Sequence, residues 1–428
     1  MQIAVIGLGH LGLPLASLLA AAGHSVIGSD CDENRIAALA GGEIRWHEPG
    51  LATLYRSARS NLHLTGDSAE AAAVSEISII SLPTPSAADG SYDIGHVLDA
   101  VAKIGQGLLR QDRPHVVVLT STVNPATCEG PVAALLQKSS GRTLGPDLGL
   151  CYSPVFGALG NIIQGYSKPD FLLLGESSSN AGAIAAKLFG SIHHNRPPVL
   201  RRTLIDAELA KAALNTFVMT KISFANMIGE LCRAIPGADA NQVLSVLGND
   251  HRIGPHFLRA AMPYGGPCFM RDADAFVAIG KCHGIDAPIV QATEATNRSL
   301  LDDIVGSLKS STSAGGSIAI LGLAFRNDTD VTIGSPAIEI AGRLARDGYR
   351  VRAWDPLARP VVGYGVHLAG SMAECLSGVD VVLIANDNPR CAEIPPNIRR
   401  PDGRALIVLD YWRMLGSTSQ SGQFEIHH

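Results

Sequence analysis

The strongest chemical candidates lie in the stretch Tyr264-Gly-Gly-Pro-Cys-Phe-Met-Arg-Asp272. Cys268 follows two glycines and a proline, a composition that presents a sulfur on a tight turn with little side-chain cover. A helix starting near Cys268 would place Asp272, four residues on, on the same face. Thiolate chemistry needs a depressed thiol pKa, which a helix N-terminus or a nearby ammonium supplies. The competing reading is a buried structural cysteine, because the chain has eight cysteines in all. This segment alone leaves both open. A second pair lies upstream: between residues 203 and 233 apolar residues recur with helical spacing and no glycine or proline intervenes until Gly229, which predicts one long, largely buried helix. Lys211 and Asn215 break that pattern at i and i+4, on one face. Lysine is seldom buried without a partner, so Lys211 faces either a polar cavity or solvent, and periodicity alone favours the solvated edge.

The elements that must position these residues are readable on either side. Residues 2 to 6 form an apolar, β-branched run that ends in Gly7-Leu8-Gly9-His10-Leu11-Gly12. A helical stretch follows from Leu13 to Ala22, then a second strand, Ser25 to Gly28, that ends at Ser29-Asp30. Strand, glycine turn, helix, strand and an acid about 20 positions on form the full context of a dinucleotide site. The glycines let the backbone approach a pyrophosphate at the helix N-terminus, and Asp30 can bind the adenosine ribose hydroxyls. An acid there repels a 2′-phosphate, so NAD is expected rather than NADP. Further strands run over 75–82, 116–121, 148–152 and 171–175. In open α/β sheets ligands bind at the carboxyl ends of strands, which places Pro83-Thr84 and Ser121-Thr122 beside the nicotinamide half. Taken alone, each reads first as an ordinary strand-end turn.

After helices that continue to about residue 300, Gly306 to Gly316 reads as a linker or loose turn. The α/β pattern then restarts with strands at 317–322, 350–354, 379–384 and 405–409 and a helix over about 336–347. The expected fold class is α/β: two Rossmann-like doubly wound parallel-sheet domains, residues 1–200 and 315–428, joined by a helical segment, 201–305, that carries the long helix and the cysteine loop. Composition agrees, with 46% hydrophobic residues, 5% aromatics and 45 glycines among 428 residues. A net charge of −5 without a basic run marks no nucleic-acid or anionic-membrane surface. No apolar run reaches the roughly 18 residues of a membrane span. The cysteines show no metal-ligand spacing, and no signal peptide precedes the first strand, so a cytoplasmic protein without a metal is expected.

With these residues in place the sequence resembles the UDP-glucose/GDP-mannose dehydrogenase family, the NAD-dependent nucleotide-sugar 6-dehydrogenases. The motifs occur in order along nearly the whole chain: GLGHLGLPLA, EPGL at 48–51, TP at 84–85 with DGSYD at 89–93, STV at 121–123, AELAKAALNTFVMTKISFAN at 207–226, Asp-x-Arg-Ile at 250–253, GGPCFMRD, and LGLAFRNDTD at 321–330. The resemblance implies oxidation of the C6 alcohol of a UDP-glucose or UDP-N-acetylhexosamine type substrate to the acid. Cys268 would hold the aldehyde as a thiohemiacetal and then a thioester. Lys211 and Asn215 would stabilise the oxyanion, and Asp272 with a Thr122-held water would move protons. It further implies NAD contacts at Gly7, Gly9, His10, Leu11, Gly12, Asp30, Arg35, Pro83, Thr84, Ser121 and Thr122. Substrate contacts are implied at Phe156, Lys211, Asn215, Phe257, Tyr264, Gly265 and Arg326, which stands where the family usually has lysine. Arg252 is implied to reach the ligand across a homodimer interface built on the long helix.

The chain departs from the family in particular places. Where the family commonly reads Asn-Pro-Glu-Phe-Leu-x-Glu-Gly, this chain has Ser153-Pro-Val-Phe-Gly-Ala-Leu-Gly160, so both glutamates are replaced. The first is the family's general acid/base for the thioester stage. Valine transfers no proton, so with Val155 there hydrolysis is slow, uses another group or does not occur. The alternatives to the four-electron reaction are therefore a two-electron oxidation stopping at the 6-aldehyde and a catalytically weak nucleotide-sugar binder. The family's Asp-Asp-Val-Arg-Glu-Ser-Pro is here Asp330-Val-Thr-Ile-Gly-Ser-Pro336, with Ile333 in place of an arginine that usually helps hold NAD, and Met227 replaces a common glutamate after Asn226.

Overall fold

The computed structural model describes residues 1–359, 365–415 and 424–427. The chain divides into two compact units: residues 1–214 with 274–284, and residues 215–273 with the chain from 285 onward. The long helix Leu204–Ala234 and the cysteine helix Phe269–Cys282 each contribute turns to both.

The first unit is built on one sheet. Its strands are β1 (Gln2–Ile6), β2 (Ser25–Ser29), β3 (Leu62–Thr65), β4 (Ile77–Ile80), β5 (His115–Leu119), β6 (Leu148–Tyr152), β7 (Leu172–Glu176) and β8 (Val199–Arg202), in the order β3-β2-β1-β4-β5-β6-β7-β8. All neighbours are parallel except β6 and β7, where Cys151 opposes Glu176. β4, β5 and β6 are buried at every residue, as expected for parallel strands covered on both faces, which read as continuous apolar runs. The order reverses beside β1, between β2 and β4, and the crevice at such a switch point is where doubly wound folds bind ligands. β8 corrects the expectation that the first domain's strands end at Gly175. Its sequence, Val-Leu-Arg-Arg, is that of a half-exposed edge strand and lacks the apolar signal of the others.

The second unit repeats the plan with β9 (Ser317–Leu321), β10 (Arg350–Trp354), β11 (His367–Leu368), β12 (Val381–Ile384), β13 (Leu406–Leu409) and β14 (Phe424–His427), ordered β11-β10-β9-β12-β13-β14 and parallel throughout. The two expected parallel sheets are both present. Each first strand ends in a glycine with the same left-handed φ of 93°, Gly7 and Gly322, a conformation that L side chains rarely adopt. Helices of the second unit include Ala240–Asn249 and Pro336–Arg346. The reading of Gly306 to Gly316 as a linker is overturned in its first half, because the helix Pro288–Ser310 runs through it. Buried Leu301, Ile304, Val305 and Leu308 share one face there, so tertiary burial overrides the helix-weakening Ser and Gly.

Candidate active site

In the first unit the glycine turn has the shape a pyrophosphate needs. A Cβ on Gly12 would run into the Gly7 carbonyl, whereas a Cβ on Gly9 would meet nothing within 4 Å, so the turn's outer side is open. The helix Gly12–Ala21 starts behind Leu11 without a side-chain cap. Leu13 N–H already donates to Gly9 O at 3.1 Å and Pro14 has none, which leaves the Gly12 N–H at this end for an anion. The His10 ring packs against Trp46 with centroids 5.0 Å apart. Asp30, at the end of β2, is 5% exposed. Its Oδ2 accepts from Leu8 N and from Arg35 Nη1, both at 2.8 Å, and its Oδ1 from Asp32 N at 3.0 Å. A carboxylate has about four lone-pair sites, so one remains for a ribose hydroxyl.

The ends of β4 and β5 are stitched together. Thr84 Oγ1 donates to Thr122 O at 2.7 Å, and Ser121 Oγ donates to Leu82 O at 2.7 Å while accepting from Leu82 N at 3.0 Å. Pro83, Thr84, Ser121 and Thr122 therefore form one rim. Lys211 corrects the solvated-edge reading: it is 7% exposed, its Nζ donates to the Val155 carbonyl at 2.7 Å, and it lies 4.8 Å from the Phe156 ring centroid. A charge-assisted bond and an aromatic face replace the water that periodicity expected. The Val155 side chain packs on the apolar core. Residue 155 thus offers the lysine a carbonyl and no titratable group.

The second unit holds the thiol. Cys268 is exposed, and its carbonyl accepts the Asp272 N–H at 2.8 Å, which makes it the cap of the helix Phe269–Cys282. That end favours an anionic sulfur. Asp272 is fully buried. Its Oδ2 accepts from Asn215 Nδ2 at 2.5 Å and its Oδ1 from Arg271 Nε at 3.0 Å and Nη2 at 2.8 Å. Asn215, Arg271 and Asp272 are thus one network under the thiol's helix. Tyr264 is fixed from both sides by Asn297, which accepts from Tyr264 N at 2.9 Å and donates to Tyr264 O at 3.0 Å. Arg252 stands apart, 78% exposed and paired with Asp250 at 2.6 Å. Phe257 is exposed with φ 62°, and Arg326 is half-buried next to Phe325.

Residues 1–193 match the NAD binding domain of the UDP-glucose/GDP-mannose dehydrogenase family, residues 205–299 its central domain, and residues 319–417 its UDP binding domain. The chain belongs to the UDP-glucose/GDP-mannose dehydrogenase family. It is an NAD-dependent nucleotide-sugar dehydrogenase. It is 34% identical to a UDP-glucose 6-dehydrogenase of Pseudomonas aeruginosa over 95% of this chain and 94% of that one. To the UDP-glucose 6-dehydrogenase AglM of Haloferax volcanii it is 33% identical over 90% and 91%. A solved UDP-glucose dehydrogenase from the archaeon Pyrobaculum islandicum superposes with a TM-score of 0.88 at 30% identity, covering 99% of this chain and 95% of that one.

Two acids of this dehydrogenase act as clamps that sequence reasoning did not identify. Glu48, of the EPGL motif, accepts from Gly160 N at 2.9 Å and Ile162 N at 2.7 Å. It holds the loop that has lost both family glutamates. Glu208 is fully buried on the long helix and accepts from Ala126 N at 2.7 Å and Cys128 N at 2.8 Å. It ties the loop after Thr122 to the helix turn before Lys211. Burial pushes the Glu208 pKa up, and burial with Glu208 beside it pushes the Cys128 thiol well up. Cys128 is therefore no competitor for the nucleophile. The only available signal was the spacing of Glu208, three residues before Lys211, and spacing does not name the partner. No helix among the described residues is long and apolar enough to cross a membrane, and no group of His, Cys, Asp and Glu among them could hold a metal ion.

Proposed function

We propose that the protein oxidises C6 of a UDP-hexose or UDP-N-acetylhexosamine through Cys268. The observation that carries this is the thiol at a helix N-terminus with buried Asp272 one turn on, held by Asn215 and Arg271. When bound, NAD supplies the hydride acceptor. Asp272 and a Thr122-held water would move the C6 hydroxyl proton as hydride leaves. Cys268 sulfur then attacks the aldehyde carbon, forming the C–S bond, while Lys211 and Asn215 donate to the oxyanion. A second NAD, bound in exchange for the first, would supply the acceptor for the hydride lost from that carbon as the thioester forms, and water cleaves the C–S bond to return the thiol and the acid.

The last step favours a second reading. Val155 presents only its carbonyl to Lys211, so no carboxylate at that position can activate water, and the reaction could stop at the aldehyde or the thioester. Counting NADH formed per sugar nucleotide consumed, with mass analysis of product and protein, separates the outcomes. Two NADH with free uronate supports the four-electron path. One NADH with aldehyde supports the two-electron path, and binding without NADH refutes both. Cys268→Ala at parental turnover refutes the role of the thiol.

A homodimer belongs to the same proposal. Phe217, Phe224 and Leu231 recur every seven residues along the long helix and are 65%, 43% and 50% exposed. An apolar heptad stripe of this kind suits a second copy of the helix. Sedimentation of the full chain tests it, and a monomer at assay concentration refutes it.

A further inference from the structure

The two glycines ahead of Cys268 are held by a loop nearly seventy residues downstream. Gly266 has φ 91° and Gly334 has φ 67°, and the two left-handed residues meet back to back: Gly266 N donates to Gly334 O at 2.9 Å. A Cβ on Gly334 would lie 2.8 Å from Gly266 O and 3.0 Å from its carbonyl carbon. Neither neighbour can yield by a rotamer change, because both are backbone. A Cβ on Gly266 would lie 2.5 Å from Phe325 Cδ2, and one on Gly265 would lie 2.6 Å from Pro336 Cδ. Phe325 in turn donates its N–H to Val331 O at 3.1 Å, so the ring is carried by a loop closed on itself. Pro336 opens the helix Pro336–Arg346, and the residue before a proline is held extended, as Ser335 is, with φ −69° and ψ 126°. The cysteine turn is therefore fixed by Asn297 at Tyr264 and by residues 325–336 at Gly265 and Gly266, immediately before the thiol.

From these contacts we infer that Gly334 and Phe325 are positioning residues for the Cys268 thiol. The inference rests on the reading of Cys268 as the nucleophile. Gly334 stands where the family commonly has glutamate, and a side chain there would meet the Gly266 backbone. The exchange lets the loop close directly on the cysteine turn. Arg326, the candidate contact for the sugar nucleotide, follows Phe325 in that loop. The nucleotide-binding loop and the turn that aims the sulfur are thus one packed piece, so moving one displaces the other.

The test compares full-length Gly334→Ala and Phe325→Leu with the parent chain and with Cys268→Ser. The readouts are kcat, KM for UDP-sugar and for NAD, and the rate of Cys268 alkylation by iodoacetamide as a function of pH, with circular dichroism to certify folding. A displacement of the sulfur by an ångström costs on the order of 10²-fold in rate. The expected result is a kcat about ten- to a hundredfold lower in each variant, KM for NAD unchanged, and a displaced alkylation profile. Folded variants with parental kcat and alkylation overturn the inference while an inactive Cys268→Ser leaves the proposed mechanism standing. A fall in kcat with an unchanged alkylation profile also overturns it, because the loop would then act on substrate alone. Cys268→Ser at parental turnover fails the reading of the site instead. Phe325→Leu adds no backbone strain and decides the matter if Gly334→Ala does not fold.

Discussion

Val155→Glu restores a carboxylate at the one position where the proposed chemistry lacks a proton carrier. Lys211 Nζ lies 2.7 Å from the carbonyl of the same residue, so a glutamate side chain at 155 can reach the ammonium. Two unit charges about 4 Å apart at an effective dielectric of about 20 attract by about 4 kcal/mol. That is enough to keep the new carboxylate ionised and turned toward Lys211 instead of the core. Losing the half-buried valine costs about 1 kcal/mol, roughly half of a full apolar burial. A positioned acid/base contributes about 10²–10⁴-fold, or about 3–5 kcal/mol at 1.36 kcal/mol per tenfold. The assay is rapid mixing with NADH absorbance, followed by intact-protein mass. The parent chain should show an early NADH phase, a slow steady state and protein carrying the sugar mass on Cys268. In Val155→Glu the early phase should be unchanged, the steady state faster by at least about tenfold, and the adduct gone. A folded variant whose steady state stays at the parental rate refutes the argument that residue 155 limits thioester hydrolysis.

Lys211→Met keeps the stem and removes the donors, and should lower kcat about 10²–10³-fold, the usual loss for an oxyanion donor, with the same melting temperature within a few degrees; parental kcat refutes the role. Asp272→Asn leaves Arg271 without its carboxylate; Arg271 keeps 21% exposure, so the cost should be about 2–3 kcal/mol, below the full range for a broken buried pair, read by urea unfolding. Asp30→Ser should raise the ratio of NADP to NAD turnover by removing the charge that opposes a 2′-phosphate, and an unchanged ratio refutes its part in cofactor choice. His115, 1% exposed between Ser75 O and Ser78 Oγ, is pushed by burial from 6.5 down to about 4. The unfolded chain binds that proton first, so stability is full above pH 6.5 and falls by about 3 kcal/mol as pH drops toward 4. His115→Gln should flatten that part of the curve.

Most strands were legible because parallel strands buried on both faces write themselves as apolar runs, and the glycine turn because its residues are dictated by backbone approach. β3, β8, β11 and β14 were not, since a short edge strand carries no such run. The Ser- and Gly-rich end of the helix Pro288–Ser310 was misread for the opposite reason: its buried face is set by neighbours that propensity cannot see. At the candidate site residue types were readable in order along the chain, but the partners of each were not. Lys211 looked like a solvated lysine until the Val155 carbonyl and the Phe156 ring closed on it. Glu48 and Glu208 clamp backbone N–H groups of distant loops, and such partners leave no trace in residue identity.

The repeated turn shows why one strand-end acid can serve a cofactor and its counterpart cannot. Asp30 and Asp355 both follow the second strand of their sheets and both accept from the residue after the glycine, Leu8 N at 2.8 Å and Leu323 N at 2.6 Å. Asp355 also accepts from Ala324 N at 3.0 Å, Leu357 N at 2.8 Å and Ala358 N at 2.7 Å. Its roughly four lone-pair sites are all taken. Asp30 has three partners, and one of them, Arg35, is a side chain that can swing away. Asp30 therefore keeps acceptor capacity at the rim of an open glycine turn, whereas Asp355 is used up in closing its own. A ribose hydroxyl has a place to bond at the first turn and none at the second. The same topology thus yields a dinucleotide site only once, and the difference lies in how many backbone N–H groups each carboxylate must satisfy.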